Sequence, residues 1–301
     1  MKHFLIKHRL PGTFVELASR FYDPLAESLA SMHKRCLKPL LIGINGCQGS
    51  GKSTLADYLA MTFNQSYDLK AIAISIDDFY LTRSERSGLA NTVHPLLQTR
   101  GVPGTHDIDL MRTTLKELTS KSTLVRVPRF DKARDDRADM AHWHQIGAPL
   151  DIILLEGWCV GIPSQSDSEL LAPLNELESH EDTDGRWRRW VNQQLRIYYE
   201  PFNKAFDSLI MLKAPGFDAV YRWRLEQEQK LAERQRLAND AEDDQSAQGI
   251  MSPEQIARFI QHYQRLTEHA LRVIPDTADV CFELDDSRRI IALTTKRASG
   301  L

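Results

Sequence analysis

The stretch GINGCQGSGKST, residues 43–54, places glycines at 46, 49 and 51 ahead of Lys52, Ser53 and Thr54. Glycines at this spacing let backbone N–H groups converge with no Cβ in the way, and convergent N–H groups bind phosphate oxygens. Gly46-x-x-x-x-Gly51-Lys52-Ser53 is the pattern of a nucleotide-binding phosphate loop. Gly46, Cys47, Gln48, Gly49, Ser50, Gly51, Lys52, Ser53 and Thr54 are therefore the expected ATP-binding residues. Lys52 supplies a movable positive charge for the outer phosphates, and Ser53 a hydroxyl ligand for Mg2+.

Acids at the ends of two apolar runs could complete such a site. Glu156 follows DIILL, where a carboxylate can hold Mg2+ directly or through water, and Asp77 and Asp78 close LKAIAISID. A carboxylate near the γ-phosphate suits the task of orienting or deprotonating an acceptor hydroxyl. Neighbours in a strand face opposite ways, so one acid of the pair is expected in the site. Asp77 is that residue, as base and metal ligand with Ser53 and Glu156, and Asp78 is read as a solvated or capping residue.

Positioning these groups requires strands that end at one crevice. LLIGI (41–45), LKAIAISID (69–77), DIILLEGW (151–158) and SLIMLKAP (208–215) read as buried strands alternating with helices such as STLADYLAMTF (53–63). That alternation predicts an α/β fold of the P-loop NTPase type. Three layers, α/β/α, surround a parallel sheet that binds ligands at the carboxyl ends of its strands. One domain is expected over 1–301. Helices at 1–37 are divided at Pro24, a polar helical insertion occupies 162–206, and a long charged helix with a mobile loop spans 216–250. Residues 84–109, rich in Gly, Pro, His and Asn, read as a long functional loop. A helix at 109–121 is capped by Asp107 or Asp109, another opens at Ser252-Pro253-Glu254, and DVCFELDDSRRIIALTTK reads as a terminal strand pair.

Composition narrows the partners. The chain has 301 residues, 42% of them hydrophobic and 26% charged, with a net charge of −3. That balance speaks against a basic nucleic-acid binder. No apolar run reaches the length needed to span a membrane. Four cysteines with no C-x-x-C pair suit a reducing compartment, so a cytoplasmic protein is expected. Cys47, near a helix start, could have a lowered pKa and invite oxidation. His142-x-His144 lacks a third ligand for a metal. In RWRRWVNQQLRIYY the rings are expected to pack inward while the Arg heads snorkel to water.

GINGCQGSGKST, SIDDFYLT, HPLLQTRGVPGTHD, PRFDKARDDRAD, LLEGWCVG and FDAVYRWRLEQE, in this order, resemble the D-glycerate 3-kinases of plants and their fungal and bacterial relatives. Those proteins fall in the phosphoribulokinase, uridine kinase and pantothenate kinase class. The resemblance covers residues 40 to 290 and implies transfer of the ATP γ-phosphate, with Asp77 as base and Glu156 as the strand-end acid. It also implies that Val220, Trp223 and Arg224 start a lid helix, with Arg224, in preference to Arg222, reaching the transferred phosphate. Glycerate carries a carboxylate and two hydroxyls, so its pocket needs a fixed cation. Arg100, Arg129, Lys132 and Arg137 are candidates, and His94 and His106 could bond the hydroxyls. Phe130 is the one aromatic residue in loops 84–109 and 125–140, which favours an anionic acceptor. A nucleoside or vitamin kinase is the alternative, and an ATP-hydrolysing switch protein a third reading. Oligomeric state is left open.

Overall fold

The computed structural model describes residues 1–120, 123–239 and 251–296. Its strands are β1 (Leu40–Gly46), β2 (Ala71–Ser75), β3 (Leu124–Val127), β4 (Phe130–Asp131), β5 (Asp136–Arg137), β6 (His144–Gly147), β7 (Ile152–Gly157), β8 (Ser208–Lys213), β9 (Val280–Leu284) and β10 (Ile290–Thr295). Its helices are α1 (Lys2–His8), α2 (Phe14–Leu17), α3 (Asp23–Cys36), α4 (Lys52–Ser66), α5 (Arg83–Thr92), α6 (Ile108–Ser120), α7 (Glu176–Glu181), α8 (Arg186–Gln194), α9 (Glu200–Asn203), α10 (Phe217–Asn239) and α11 (Pro253–Val273).

Six strands make the central sheet in the order β10-β9-β8-β1-β7-β2, parallel except where β10 folds back on β9. The inner strands are apolar at successive positions because both faces are covered. Ile42, Ile44, Ile152, Leu154, Ile210 and Leu212 face one core with α3, α4 and α10. Ile153, Leu155 and Met211 face the other, with α6, α8 and α11. The sheet is thus the middle of three layers. Among the described residues no helix is long and apolar enough to cross a membrane.

Several local expectations change. Residues 84–109 are not one loop: α5 opens with Thr82 accepting from the Glu85 N–H while Glu85 accepts from that of Thr82. This T-x-x-E capping box, followed by a 3-10 turn at Pro95–Gln98, orders most of the segment. Pro24 does not divide two helices, because it sits in the first turn of α3, where its missing N–H costs nothing, and a π turn joins that helix to α2. The run 186–203 is likewise continuous through a π turn at Leu195–Tyr199. Within it Trp187 is buried as expected, but Arg188 does not snorkel. Its guanidinium lies inside, paired at 2.8 Å with the buried Asp182 and bonded to the carbonyls of Leu170, Leu171 and Asp182. Asp107 caps α6, accepting from the Leu110 N–H at 2.9 Å. Ser252 caps α11 in another capping box. The segment 240–250, expected as a mobile loop, lies outside the described residues.

Candidate active site

The phosphate loop leaves the carboxyl end of β1 at Gly46 and enters α4 at Lys52, with Gly51 in a left-handed conformation as its N-cap. The first-turn N–H groups of α4 therefore point at the space above the loop, where a helix start favours anions. Ser53 donates to Glu156 Oε1 at 2.8 Å, and Lys52 Nζ lies 3.8 Å from Glu156 Oε2. β7 pairs with β1 in register, Glu156 opposite Ile44, which brings that acid beside the loop. Glu156 Oε2 is buried without a hydrogen-bond partner. A hydroxyl and a half-satisfied buried carboxylate fit Mg2+, which takes one or two protein oxygens and completes its shell with water and phosphate.

These groups line one cavity of about 280 Å³ with Asp77, Arg100, Lys132 and Arg224. Asp77 does not lie in β2, as the sequence suggested, but in the 3-10 turn Ile76–Phe79 that follows it. The turn still separates the two acids. Asp77 accepts from the Tyr80 hydroxyl at 2.6 Å and from Lys132 Nζ at 2.8 Å. Burial raises its pKa, but Lys132 and Tyr80 outweigh that and hold it well below the usual carboxylate range. With both oxygens engaged, Asp77 is less available as the metal ligand expected of it. Asp78 turns away, bonded to Arg129 at 2.9 Å and to the Phe130 N–H, and burial pushes its pKa up to about 6.

The predicted acceptor residues separate into two sets. Arg100 and Lys132 reach the cavity, whereas His94, His106, Arg129 and Arg137 are not in its wall. His94 accepts from the Leu96 N–H at the start of a 3-10 turn. Arg137 donates to the Tyr80 carbonyl and pairs with Asp107 at 3.2 Å. His106 lies behind the site, its ring against Tyr80 with centroids 4.7 Å apart and its Nδ1 2.6 Å from the Tyr199 hydroxyl. Burial lowers its pKa to about 4, so it is neutral. Arg129 holds Asp78. The β4–β5 turn that carries Lys132 is tethered by Asp135, which pairs with Arg100 and, at 2.8 Å, with the fully buried Arg86.

Arg224 lines the cavity and pairs with Glu228 at 2.7 Å, one turn along α10. Arg222 points elsewhere, pairing with Asp286. Cys47 is not the reactive thiol its position suggested, since burial pushes its pKa up to about 12. Sequence reasoning also missed the aromatic wall of Tyr80, Trp158, Phe259 and Tyr263. Phe259 and Tyr263 stand four residues apart on α11, a spacing that puts them on one face. The rings of the pocket therefore come from elements other than segments 84–109 and 125–140.

No family model matches the chain. It is 34% identical over 249 residues to an uncharacterized kinase of Schizosaccharomyces pombe, covering 80% of this chain and 84% of that one. It is 31% identical over 237 residues to a probable ATP-dependent kinase of Saccharomyces cerevisiae, covering 73% of this chain and 77% of the yeast protein. The chloroplastic D-glycerate 3-kinase of Arabidopsis thaliana is 35% identical over 237 residues, 75% of this chain but only 46% of the plant protein. In fold, the D-glycerate 3-kinase structure from Cryptococcus neoformans superposes with a TM-score of 0.73 at 24% identity, over 95% of this chain and all of that one. The phosphate loop and the extent of these alignments agree: the chain belongs to the P-loop kinase family that includes these fungal kinases and the plant D-glycerate 3-kinase, and is an ATP-dependent kinase acting on a hydroxyl of a small molecule.

Proposed function

We propose that the acceptor is D-glycerate or a similar small hydroxy acid. The observation that carries this reading is the pair of cations, Arg100 and Lys132, in the wall that also presents Asp77. A carboxylate entering there meets a guanidinium fork and an ammonium, which suits an anionic acceptor better than a neutral nucleoside. The aromatic residues do not contradict it. Trp158 and Tyr263 meet edge to face and spend their polar tips on the carbonyls of Gly101 and Arg100, each at 2.9 Å, so they build wall and offer no open stacking platform.

In this reading Lys52 and the loop N–H groups hold the β- and γ-phosphates. Ser53 and Glu156 would hold Mg2+, which supplies charge neutralisation on the phosphate oxygens. The acceptor carboxylate draws Lys132 from Asp77, and the freed oxygen takes the hydrogen bond of the acceptor hydroxyl. As the acceptor oxygen bonds to the γ-phosphorus and the bond to the β-phosphate oxygen breaks, the hydroxyl proton passes to Asp77. A weakly basic carboxylate is adequate because phosphoryl transfer is loose and asks more of positioning than of base strength. Arg224 leaves Glu228 for the transferred group and spreads its charge.

ADP release from Mg-ATP, measured with D-glycerate, L-glycerate, uridine, pantothenate and sugars in turn, tests the assignment. D-glycerate is expected to stimulate release strongly while uridine and pantothenate do not. Stimulation by uridine alone would discard the anionic pocket, and a rate that no acceptor raises would favour a nucleotide switch.

A further inference from the structure

The turn between β9 and β10 breaks a local rule. Arg288 N–H donates to the Asp285 carbonyl and Asp285 N–H to that of Arg289, each at 2.9 Å, closing a three-residue hairpin loop. The last residue of such a loop takes the left-handed conformation, a place for glycine or asparagine. Here it is Arg288, with φ 63°. A bulky residue held in this region carries a conformational cost, and functional sites are one place where that cost is borne.

The side chain reaches such a site. Arg288 Nε donates to the carbonyl oxygen of Gly49, in the middle of the phosphate loop, at 2.8 Å. Its Nη2 pairs with Glu226 at 2.7 Å, and its guanidinium lies over the Trp223 ring, 5.1 Å from the centroid. Trp223 donates in turn to the Asp286 carbonyl of the same hairpin. On the other side Gly49 packs straight onto α10: a Cβ there would lie 2.7 Å from that of Trp223. The Gly49 peptide is thus clamped between a side chain of the hairpin and the helix that presents Arg224 and Gln227 to the cavity.

We propose that Arg288 is a positioning residue for the nucleotide site, bracing the phosphate loop against α10 and so fixing the loop's distance from Arg224. It touches no reacting group. Its effect passes through the Gly49 peptide and Trp223, and it does not depend on which acceptor the enzyme takes.

Replacing Arg288 by glycine and by alanine separates side chain from backbone. Glycine suits the left-handed turn and alanine does not, so the ligand-free Tm of Arg288→Gly should exceed that of Arg288→Ala. Both lack the guanidinium. The expected result is that both bind Mg-ATP about tenfold more weakly than the parent by calorimetry, by the same factor despite their different Tm, as for a supporting residue behind a ligand group. Arg288→Lys, which can still reach the Gly49 carbonyl but has no fork for Glu226, should recover part of the loss. Wild-type Mg-ATP affinity in Arg288→Gly overturns the proposal. So does affinity that follows Tm across the series, glycine near normal and alanine weak, which would make Arg288 a turn residue only. Calorimetry needs no acceptor, so these outcomes stand whether or not D-glycerate is the substrate.

Discussion

The two halves of the cavity are built on different plans. The nucleotide side comes from one continuous stretch, Gly46–Ser53, plus Glu156, and it keeps groups in reserve: Glu156 Oε2 and Ser50 Oγ are buried with no hydrogen-bond partner. The acceptor side comes from segments far apart in the chain, and its charges are already engaged. Asp77 is held by Lys132 and Tyr80, Arg100 by Asp135, and Arg224 by Glu228. One half is poised to receive a ligand as it stands, while the other must trade internal partners for external ones. Exchange at Lys132 is cheap because that side chain is 62% exposed, and exposed ion pairs contribute little. On the proposed reading, the contrast would let the enzyme hold nucleotide while Asp77 stays engaged by Lys132 and Tyr80.

The sharpest way to break this contrast is Asp77→Asn. Turnover should fall by about a thousandfold, the scale of a lost general base, with Mg-ATP affinity by calorimetry unchanged. Weakened nucleotide binding would mean that Asp77 serves both sides. Next is the neutral imidazole behind Tyr80. His106 has a folded pKa of about 4 against an ordinary value of 6.5, so the unfolded chain takes up a proton between those values and the folded one does not. Stability is therefore full above pH 6.5 and declines as pH falls toward 4, by up to roughly 3 kcal/mol from this group. Denaturant titrations of His106→Gln should show a flatter slope across that window.

Arg100→Met and Lys132→Met should each raise the acceptor KM by about ten- to a hundredfold, the scale of a lost charged contact, and leave the ATP KM within about twofold in steady-state assays. Equal changes in both constants would erase the division between the halves. The smallest expected effect is at Cys47. Its buried thiol should resist iodoacetamide in the folded protein at pH 8, while the exposed Cys36 reacts, as mass spectrometry of the labelled peptides would read.

Legibility in the sequence follows the same division. Gly46, Gly51, Lys52 and Ser53 do their work through local spacing, and apolar runs bounded by turn residues mark the strands that carry them. The acceptor wall depends on tertiary approach. Nothing near Asp77 announces Lys132, 55 residues on, and nothing in α11 says that Phe259 and Tyr263 come to the ends of the strands. Two errors had local remedies. The T-x-x-E pattern at Thr82–Glu85 outweighs the glycines and prolines that follow it, and an arginine next to a buried tryptophan can be internal when an aspartate six residues earlier is buried with it. The loss of Asp77 from its strand had no such signal, because a chain leaves a sheet by one extra turn without changing its apolar pattern.

The central place of β1 has a consequence for how the protein is made. Its sheet neighbours are β7 and β8, so the ribosome must pass residue 157 before β1 gains one partner and residue 213 before it gains both. At about 5–20 residues per second, the apolar segment LLIGI spends on the order of ten seconds or more in the nascent chain with its strand edges unpaired. Arg288 emerges later still, so the brace on Gly49 closes after the sheet that it steadies. The segment most easily read in the sequence thus waits for later residues before its sheet partners exist.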